Sequence, residues 1–233
     1  MGESCASYGL GVQAHLALEA ARERVARRVG VDAEQIVFTS GATEGNHAVL
    51  RYWAKRFVGR AVALSPFEHP SVYTAAELYF GDACHSLPID ALGRVDLQAT
   101  EALLEANPDI RCLTLTAASH ETGIHQPWGA MAQLCRARGV AYHCDASQWA
   151  GRESMGEFFN CDFVTAGAHK LGGPVGVGWL KISGHLEDFC IQPGGGQEAG
   201  YRSGTPAVPL ILAMDAAWAR GRVDRRTEGS KLG

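Results

Sequence analysis

Residues 35–44 read QIVFTSGATE, and this stretch decides the fold. It begins with a short apolar run, ends in small residues and leads into a helical pattern that continues to about Phe57. Apolar runs of this length are typical of buried strands, and small residues before an acidic first turn are typical of a helix start. The stretch therefore predicts a strand, a small-residue turn and a helix, in that order.

The same order recurs along most of the chain. Apolar runs predict further strands at residues 61–64, 84–87, 110–116, 140–144 and 162–165, and helical patterns lie at 13–29, 71–79, 96–106 and 129–138. Strands that alternate with helices imply parallel βαβ units, with helices on both faces of the sheet. We therefore predict an α/β fold with a mostly parallel sheet.

The chain is predicted to form one domain over residues 1–219. We find no internal repeat, low-complexity tract or linker before Gly221. The tail at 220–233 contains several arginines and no apolar period, so we expect it to be frayed or disordered.

The composition is that of a soluble globular protein, with 46% hydrophobic and 20% charged residues over 233 positions. A net charge of -4 argues against broad attraction to nucleic acid or to an anionic membrane. No apolar stretch approaches the roughly 20 residues that span a bilayer, and the first residues lack a signal-peptide pattern. We expect a cytoplasmic protein.

The seven cysteines occur singly, and none belongs to a Cys-x-x-Cys pair with the spacing of a zinc site. We therefore predict no metal site. Most of these cysteines are expected to be buried as small apolar residues, and their odd number argues weakly against a complete disulfide framework.

Polar residues follow several of the predicted strands. Ligands of parallel α/β proteins lie beyond the carboxyl ends of the strands, so these residues are the candidates for a site. The turn Ser40–Thr43 could bind an anion such as phosphate with its amides and the Thr43 hydroxyl. The alternative is an ordinary helix cap.

Two further strand ends carry candidate residues. His69, in SPFEHP at 65–70, could stack on an aromatic ligand or move protons, or be a loop histidine with no such role. Asp145, in YHCDASQ at 142–148, needs a cationic partner to remain charged when buried, and a protonated pyridinium nitrogen would supply one. Gln148 could then donate to an oxygen on the same ring. The alternative for Asp145 is a helix N-cap.

Lys170 lies in AHKLGGP at 168–174, between an apolar run and a glycine-rich turn, and it is one of only four lysines. A partly desolvated lysine at a sheet edge can form a Schiff base with a carbonyl group, whereas the alternative is a surface lysine after a strand. A second glycine-rich stretch, at 194–205, allows close approach of a ligand or another subunit. An anion turn, a histidine that could stack, a strand-end aspartate and a late lysine together describe a pyridoxal phosphate site.

With these residues identified, the chain resembles the cysteine desulfurases of the class V aminotransferase group, which are fold-type I pyridoxal phosphate enzymes. The resemblance rests on six segments in family order, namely residues 38–44, 68–69, 121–127, 143–148, 168–174 and 194–205. These segments imply that the chain contains the large domain of a pyridoxal phosphate-dependent transferase, incomplete at its N-terminus and without the small C-terminal domain.

The resemblance also implies roles for individual residues. Lys170 would attach the cofactor and, with His69 on the ring, would be catalytic. The cofactor-binding set is Ala42, Thr43, His69, His120, Asp145, Gln148, His169, Lys170 and Thr205. In that set Asp145 pairs with the pyridine nitrogen, Gln148 with the ring hydroxyl, and Ala42, Thr43 and His169 with the phosphate. Thr205 would reach the phosphate of a partner subunit, which implies a homodimer.

The implied reaction converts L-cysteine into L-alanine and passes the sulfur to an acceptor cysteine, which in this family serves iron–sulfur cluster biogenesis and sulfur-acceptor proteins. The chain departs from the family pattern at Tyr8, His120 and Gly167, where the family has histidine, asparagine and serine. None of the seven cysteines matches the acceptor loop. A selenocysteine lyase or another class V enzyme, and a catalytically inactive scaffold, are the alternatives.

Overall fold

The computed structural model describes residues 9–186 and 188–229, with residues 222–229 described by their backbone alone. Tyr8 and the last four residues of the expected tail lie outside the described residues.

One mixed sheet forms the centre of the described part of the chain. Its strands are β1 (Ile36–Thr39), β2 (Ala61–Leu64), β3 (Cys84–Ser86), β4 (Ile110–Thr114), β5 (Ala141–Asp145), β6 (Phe163–Gly167) and β7 (Gly178–Lys181). They are arranged in the order β1-β7-β6-β5-β4-β2-β3. Strand β7 is antiparallel to both of its neighbours, and the remaining pairs are parallel. The predicted mostly parallel sheet is confirmed.

Helices cover both faces of the sheet. They are α1 (Gly9–Val29), α2 (Ala42–Arg56), α3 (Pro70–Phe80), α4 (Leu97–Ala106), α5 (Trp128–Arg138) and α6 (Val208–Gly229). Helices α1, α4, α5 and α6 bury apolar residues in one core cluster, and α2 and α3 bury theirs in a second cluster on the opposite face. The α/β layering expected from the alternation of strands and helices is therefore present.

Adjacent strand residues supply the two cores. Leu113 faces the first cluster and Cys112 the second, as the two-residue period of a strand requires. On the first face, the Trp179 and Trp218 rings stack with centroids 5.6 Å apart and join β7 to α6. This stack holds α6 against the first face of the sheet.

Three elements differ from the sequence predictions. Strand β7 was not predicted, because its surroundings are rich in glycine. Helix α6 continues in its backbone to Gly229, through the position where the expected tail begins at residue 220. The predicted strand at 110–116 ends at Thr114, and the loop after it turns into the cavity described below.

Candidate functional site

A cavity of about 370 Å³ lies at the carboxyl ends of the parallel strands. Loops that follow β1, β2, β4, β5 and β6 all reach it. Eight of the nine predicted cofactor-binding residues line it, and these are Ala42, Thr43, His69, His120, Asp145, Gln148, His169 and Lys170. The structure thus brings together residues from five separate strand ends, whereas their roles stay predictions.

The turn between β1 and α2 presents backbone amides to the cavity. Helix α2 begins at Ala42 without a side-chain cap, so its first-turn amides have no intrahelical acceptor. The positive end of the helix dipole points the same way. The Ser40 hydroxyl does not cap the helix, and the Ser40 amide instead donates to Glu44 Oε2 at 2.7 Å. The turn can therefore receive an anion.

Glu44 is held by the glycine-rich stretch at 194–205. Its Oε1 accepts a hydrogen bond from Arg202 Nε at 3.0 Å. Burial alone would raise the pKa of Glu44, but the hydrogen bonds from Ser40 and Arg202 lower it below its usual value. Arg202 thus neutralises the carboxylate that lies closest in sequence to the anion turn.

A glycine in β7 allows the sheet to approach this turn. A Cβ atom at Gly178 would lie 2.6 Å from the Ala166 carbonyl oxygen and 2.7 Å from Gly41 Cα, distances that no side chain tolerates. Because Gly178 has no side chain, β7 can pack directly against the turn between β1 and α2.

His69 occupies the N-cap of α3. Its Nδ1 accepts a hydrogen bond from the Ser71 amide at 3.1 Å and lies 2.8 Å from the Ser71 hydroxyl. Burial lowers the pKa of His69. The ring centroid of His120 is 5.5 Å away, in a tilted arrangement. A neutral, oriented imidazole at this position can contact the face of a planar ligand.

Asp145 is a buried carboxylate at the end of β5, with 4% of its surface exposed. Oδ1 accepts from the Ser147 amide and Oδ2 from Asn46 Nδ2, both at 2.9 Å. No helix starts here, but the Ser147 contact is of the capping kind considered from the sequence. Within the described residues, no lysine, arginine or histidine forms an ion pair with Asp145.

Gln148 and Lys170 lie at the mouth of the cavity. Arg152, which the sequence analysis missed, donates to Gln148 Oε1 and, at 3.3 Å, to the Lys170 carbonyl oxygen. It ties together the two loops that bear these residues.

Lys170 and His169 lie on a one-turn 3₁₀ helix, Ala168–Leu171, and both side chains are exposed. This exposure is that of the surface-lysine alternative, and the Schiff-base role of Lys170 stays a prediction. Lys170 Nζ has no hydrogen-bond or ion-pair partner among the residues that the structure describes.

Thr205 does not line this cavity. It is exposed and borders a neighbouring depression, together with Thr39, Ser40 and Gly176. Ser40 and Gly176 line both hollows, so Thr205 lies next to the site without entering it.

Sequence reasoning also missed Asn46, His143 and Thr165, which lie behind Asp145. Asn46 is three residues after Thr43 on α2, so helical spacing could have placed both on one face. His143 and Thr165 are on adjacent strands and gave no such signal.

Two general findings complete the description. In the described part of the chain, no group of three or more histidine, cysteine, aspartate or glutamate residues is placed to hold a metal ion. No helix in the same ranges is both long and apolar enough to cross a membrane.

Comparison with known proteins agrees with this geometry. Residues 3–220 match the family model of class V aminotransferases. The cysteine desulfurase of Mus musculus is 32% identical over 226 residues, covering 91% of this chain and 47% of the mouse protein. The chain thus spans about half the length of this curated relative.

Two solved structures also resemble this chain over most of its length. A NifS-like protein superimposes with a TM-score of 0.88 at 32% identity, over 97% of this chain and 63% of that one. SspA in complex with cysteine gives a TM-score of 0.84 at 27% identity, over 92% of this chain and 63% of that one. The match of fold, sequence and strand-end loops over nearly the whole chain shows that this protein belongs to the class V aminotransferase family.

Proposed function

We propose that the cavity binds pyridoxal phosphate, held covalently by Lys170, and that the protein takes part in desulfuration of L-cysteine. The observation that supports this most directly is the pairing of a buried, cation-free carboxylate at Asp145 with an unpartnered amine at Lys170 in one cavity.

The residues present fit this cofactor. Asp145 would pair with a protonated ring nitrogen, which supplies the positive charge that a buried carboxylate requires. Ser147 Oγ lies in the lining, is buried and has no hydrogen-bond partner among the described residues, so a ligand's polar group could satisfy it. The first-turn amides of α2 and the Thr43 hydroxyl suit a phosphate.

Each residue then has a physical task. His69 would lie against the ring, while His120 and Gln148 approach from the loops beside it. Once bound, the cofactor supplies an electron sink for bonds at the substrate's α-carbon. Lys170 Nζ, on its exposed turn, is suited to move a proton to and from that carbon.

The proposed substrate is L-cysteine, supported by relatives named cysteine desulfurases and by the related SspA structure in complex with cysteine. In this reaction L-cysteine and an acceptor thiol yield L-alanine and a persulfide. None of the described cysteines lines the cavity, so the proposal takes the acceptor thiol from outside the described residues.

Cofactor attachment is tested by reconstitution. Purified protein mixed with pyridoxal phosphate should gain a visible absorbance band, and borohydride reduction followed by peptide mass spectrometry should find the cofactor on Lys170. Lys170→Ala should abolish both signals, while Lys55→Ala, a change on the surface of α2, should retain them. An unchanged spectrum in Lys170→Ala would refute the assignment.

Product analysis separates the remaining alternatives. Alanine and persulfide formed from L-cysteine with an added thiol would support desulfuration, whereas turnover of selenocysteine alone would indicate a lyase. A protein that shows neither the spectrum nor turnover would be the inactive scaffold considered from the sequence.

A homodimer and a cytoplasmic location complete the proposal, with iron–sulfur cluster assembly as the destination of the sulfur. Thr205 is exposed and therefore accessible to a partner subunit, as the proposed homodimer requires. The six described cysteines are free thiols, as expected in a reducing compartment. Light scattering of the purified protein would test the dimer, and a monomer that binds the cofactor fully would contradict it.

A further inference from the structure

A continuous line of buried polar side chains runs behind Asp145, away from the cavity. Its members come from two helices or loops and three strands, and their order is Asp145, Asn46, Thr165, His143, Thr114 and Glu68. Asn46, Thr114, His143 and Thr165 are fully buried, and Glu68 is 3% exposed. Because buried polar groups require partners, the proton positions along this line can be worked out.

The Asp145 carboxylate fixes the first step. Asn46 Nδ2 donates to Asp145 Oδ2 at 2.9 Å, so the amide nitrogen of Asn46 must face the carboxylate. The amide oxygen, Oδ1, consequently faces Thr165, whose hydroxyl lies 2.6 Å away and donates to it.

The second step sets the tautomer of His143. The single hydroxyl proton of Thr165 is engaged by Asn46, yet His143 Nε2 lies 3.0 Å from that hydroxyl. His143 must therefore donate from Nε2, and a neutral imidazole then has an acceptor at Nδ1. Burial lowers the pKa of His143 to about 4, although the Asp145 carboxylate opposes the shift.

The third step reaches Glu68. His143 Nδ1 lies 2.9 Å from the Thr114 hydroxyl, which must donate its only proton there. The same hydroxyl lies 3.4 Å from Glu68 Oε1, and it can donate to that oxygen only by giving up its donation to His143. A Glu68 carboxyl group that carries its own proton allows both contacts at once. Burial and the charge of Asp145 raise the pKa of Glu68 well above its usual value, although hydrogen bonds from Thr116 and Thr114 oppose the shift.

A second branch leaves Asn46 towards the cavity. Asn46 Nδ2 also donates to the Ser71 hydroxyl at 3.0 Å, and that hydroxyl lies 2.8 Å from His69 Nδ1. Ser71 can therefore donate to Nδ1, which leaves the proton of His69 on Nε2.

We propose that these six residues form one directional hydrogen-bond chain, in which His143 is a neutral Nε2–H imidazole and Glu68 a neutral carboxylic acid. Asn46, Thr165 and His143 are positioning residues, because they act through Asp145 and do not line the cavity. The chain leaves Asp145 as the single buried negative charge facing the cavity. The consequence for a cationic ring nitrogen rests on the proposed function, but the proton positions do not.

The proton positions can be measured in the full chain without cofactor. We expect nitrogen NMR shifts of His143 at neutral pH to be those of a neutral ring protonated on Nε2, with assignment by His143→Gln. Infrared spectra should contain the carbonyl band of a protonated carboxylic acid that disappears in Glu68→Gln. An imidazolium or an Nδ1–H tautomer at His143, or an ionised Glu68, would overturn the chain.

Thr165→Val tests the direction of the chain. The variant keeps the shape of the side chain but removes the acceptor of His143 and the donor of Asn46. We expect both His143 tautomers to appear and the Glu68 acid band to weaken, since Thr114 could then turn towards an ionised Glu68. Unchanged His143 shifts and an unchanged acid band in a folded variant would refute the coupling.

Thr100→Val is the matched control, because the Thr100 hydroxyl is equally buried but has no hydrogen-bond partner among the described residues. It should leave both spectra unchanged. Should Thr165→Val fail to fold, the wild-type spectra alone still decide between the proton arrangements.

Cofactor binding supplies a separate readout. Thr165→Val should weaken pyridoxal phosphate binding about tenfold, equivalent to about 1.4 kcal/mol, while Thr100→Val should not. Binding that is equal in both variants would contradict a positioning role through Asp145. If the wild-type chain binds no cofactor but gives the expected spectra, the proposed function fails and the hydrogen-bond chain stands.

Discussion

The floor and the mouth of the cavity are built differently. The floor, which we define as Asp145 with the side chains behind it, is buried, and hydrogen bonds link its residues across β4, β5 and β6 to Asn46 on α2. The mouth, which we define as Gln148, His169 and Lys170, is more open, and the Lys170 amine has no partner in the described part of the chain. Folding thus fixes the electrostatics of the floor, whereas the mouth retains groups that a ligand can engage.

Breaking the floor should have the largest effect on stability. Asn46→Ala removes a donor from a buried carboxylate and leaves a void between α2 and β6. We expect a loss of about 3 kcal/mol in the free energy of unfolding, measured by urea denaturation. Gln148→Ala at the mouth should change it by less than about 0.5 kcal/mol. Equal losses of unfolding free energy in Asn46→Ala and Gln148→Ala would show that the floor contributes no more to stability than the mouth.

The pH dependence of stability tests whether Glu68, in the floor, is a neutral acid. Because the folded pKa of Glu68 is raised, the folded state holds a proton that the unfolded chain releases above about pH 4.3. This group therefore makes stability fall as pH rises, by at most about 1.4 kcal/mol per pH unit, and contributes nothing below both pKa values.

Glu68→Gln should remove this fall, because glutamine resembles the neutral acid. We expect the variant to gain stability over the wild type as pH rises from 5 to 8, with the difference vanishing near pH 4. The contribution of His143 is common to both proteins and cancels in the comparison. Glu34→Gln, on the surface, should give a curve parallel to that of the wild type, and a parallel curve for Glu68→Gln would show that Glu68 is ionised.

Gly167→Ser tests the border between floor and mouth. The resemblance predicts serine here, at a residue whose φ of -102° suits any side chain. A Cβ atom would lie 3.1 Å from the His169 ring, but that ring is exposed and can move. One additional hydrogen bond to phosphate, worth about 1 kcal/mol, should tighten cofactor binding about fivefold. Gly167→Ala lacks the hydroxyl and should not tighten it.

Much of this organisation could be read from local sequence. Strand, turn and helix signals predicted most elements. The rule for strand ends predicted that Thr43, His69, Asp145, Gln148 and Lys170 would meet in one cavity, whereas the family resemblance added Ala42, His120 and His169. Strand β7 was missed because glycines precede its apolar residues Trp179 and Leu180, and Gly178 itself is needed for close packing against Gly41.

The floor could not be read in this way. Asn46 and Thr165 are 119 positions apart, and their contact depends on how α2 packs against β6. The exposure of the Lys170 side chain could not be read from the sequence either, because a strand-end position does not specify how the following turn is oriented. Chemistry at strand ends is therefore predictable from sequence, whereas the support behind it depends on packing.

The smallest expected change in stability is that of Lys170→Ala, and the buried Lys181 provides the comparison. Lys170→Ala should alter the stability of the cofactor-free chain by less than about 0.5 kcal/mol, although it should abolish cofactor attachment. Lys181 is 1% exposed, and its Nζ donates to the carbonyl oxygens of Cys161, Phe159 and Asp162, so Lys181→Ala should be strongly destabilising. Thermal unfolding of Lys170→Ala and Lys181→Ala measures the loss of stability in each variant. A large loss in Lys170→Ala would mean that the mouth contributes to folding, and the division between a fixed floor and a free mouth would no longer hold.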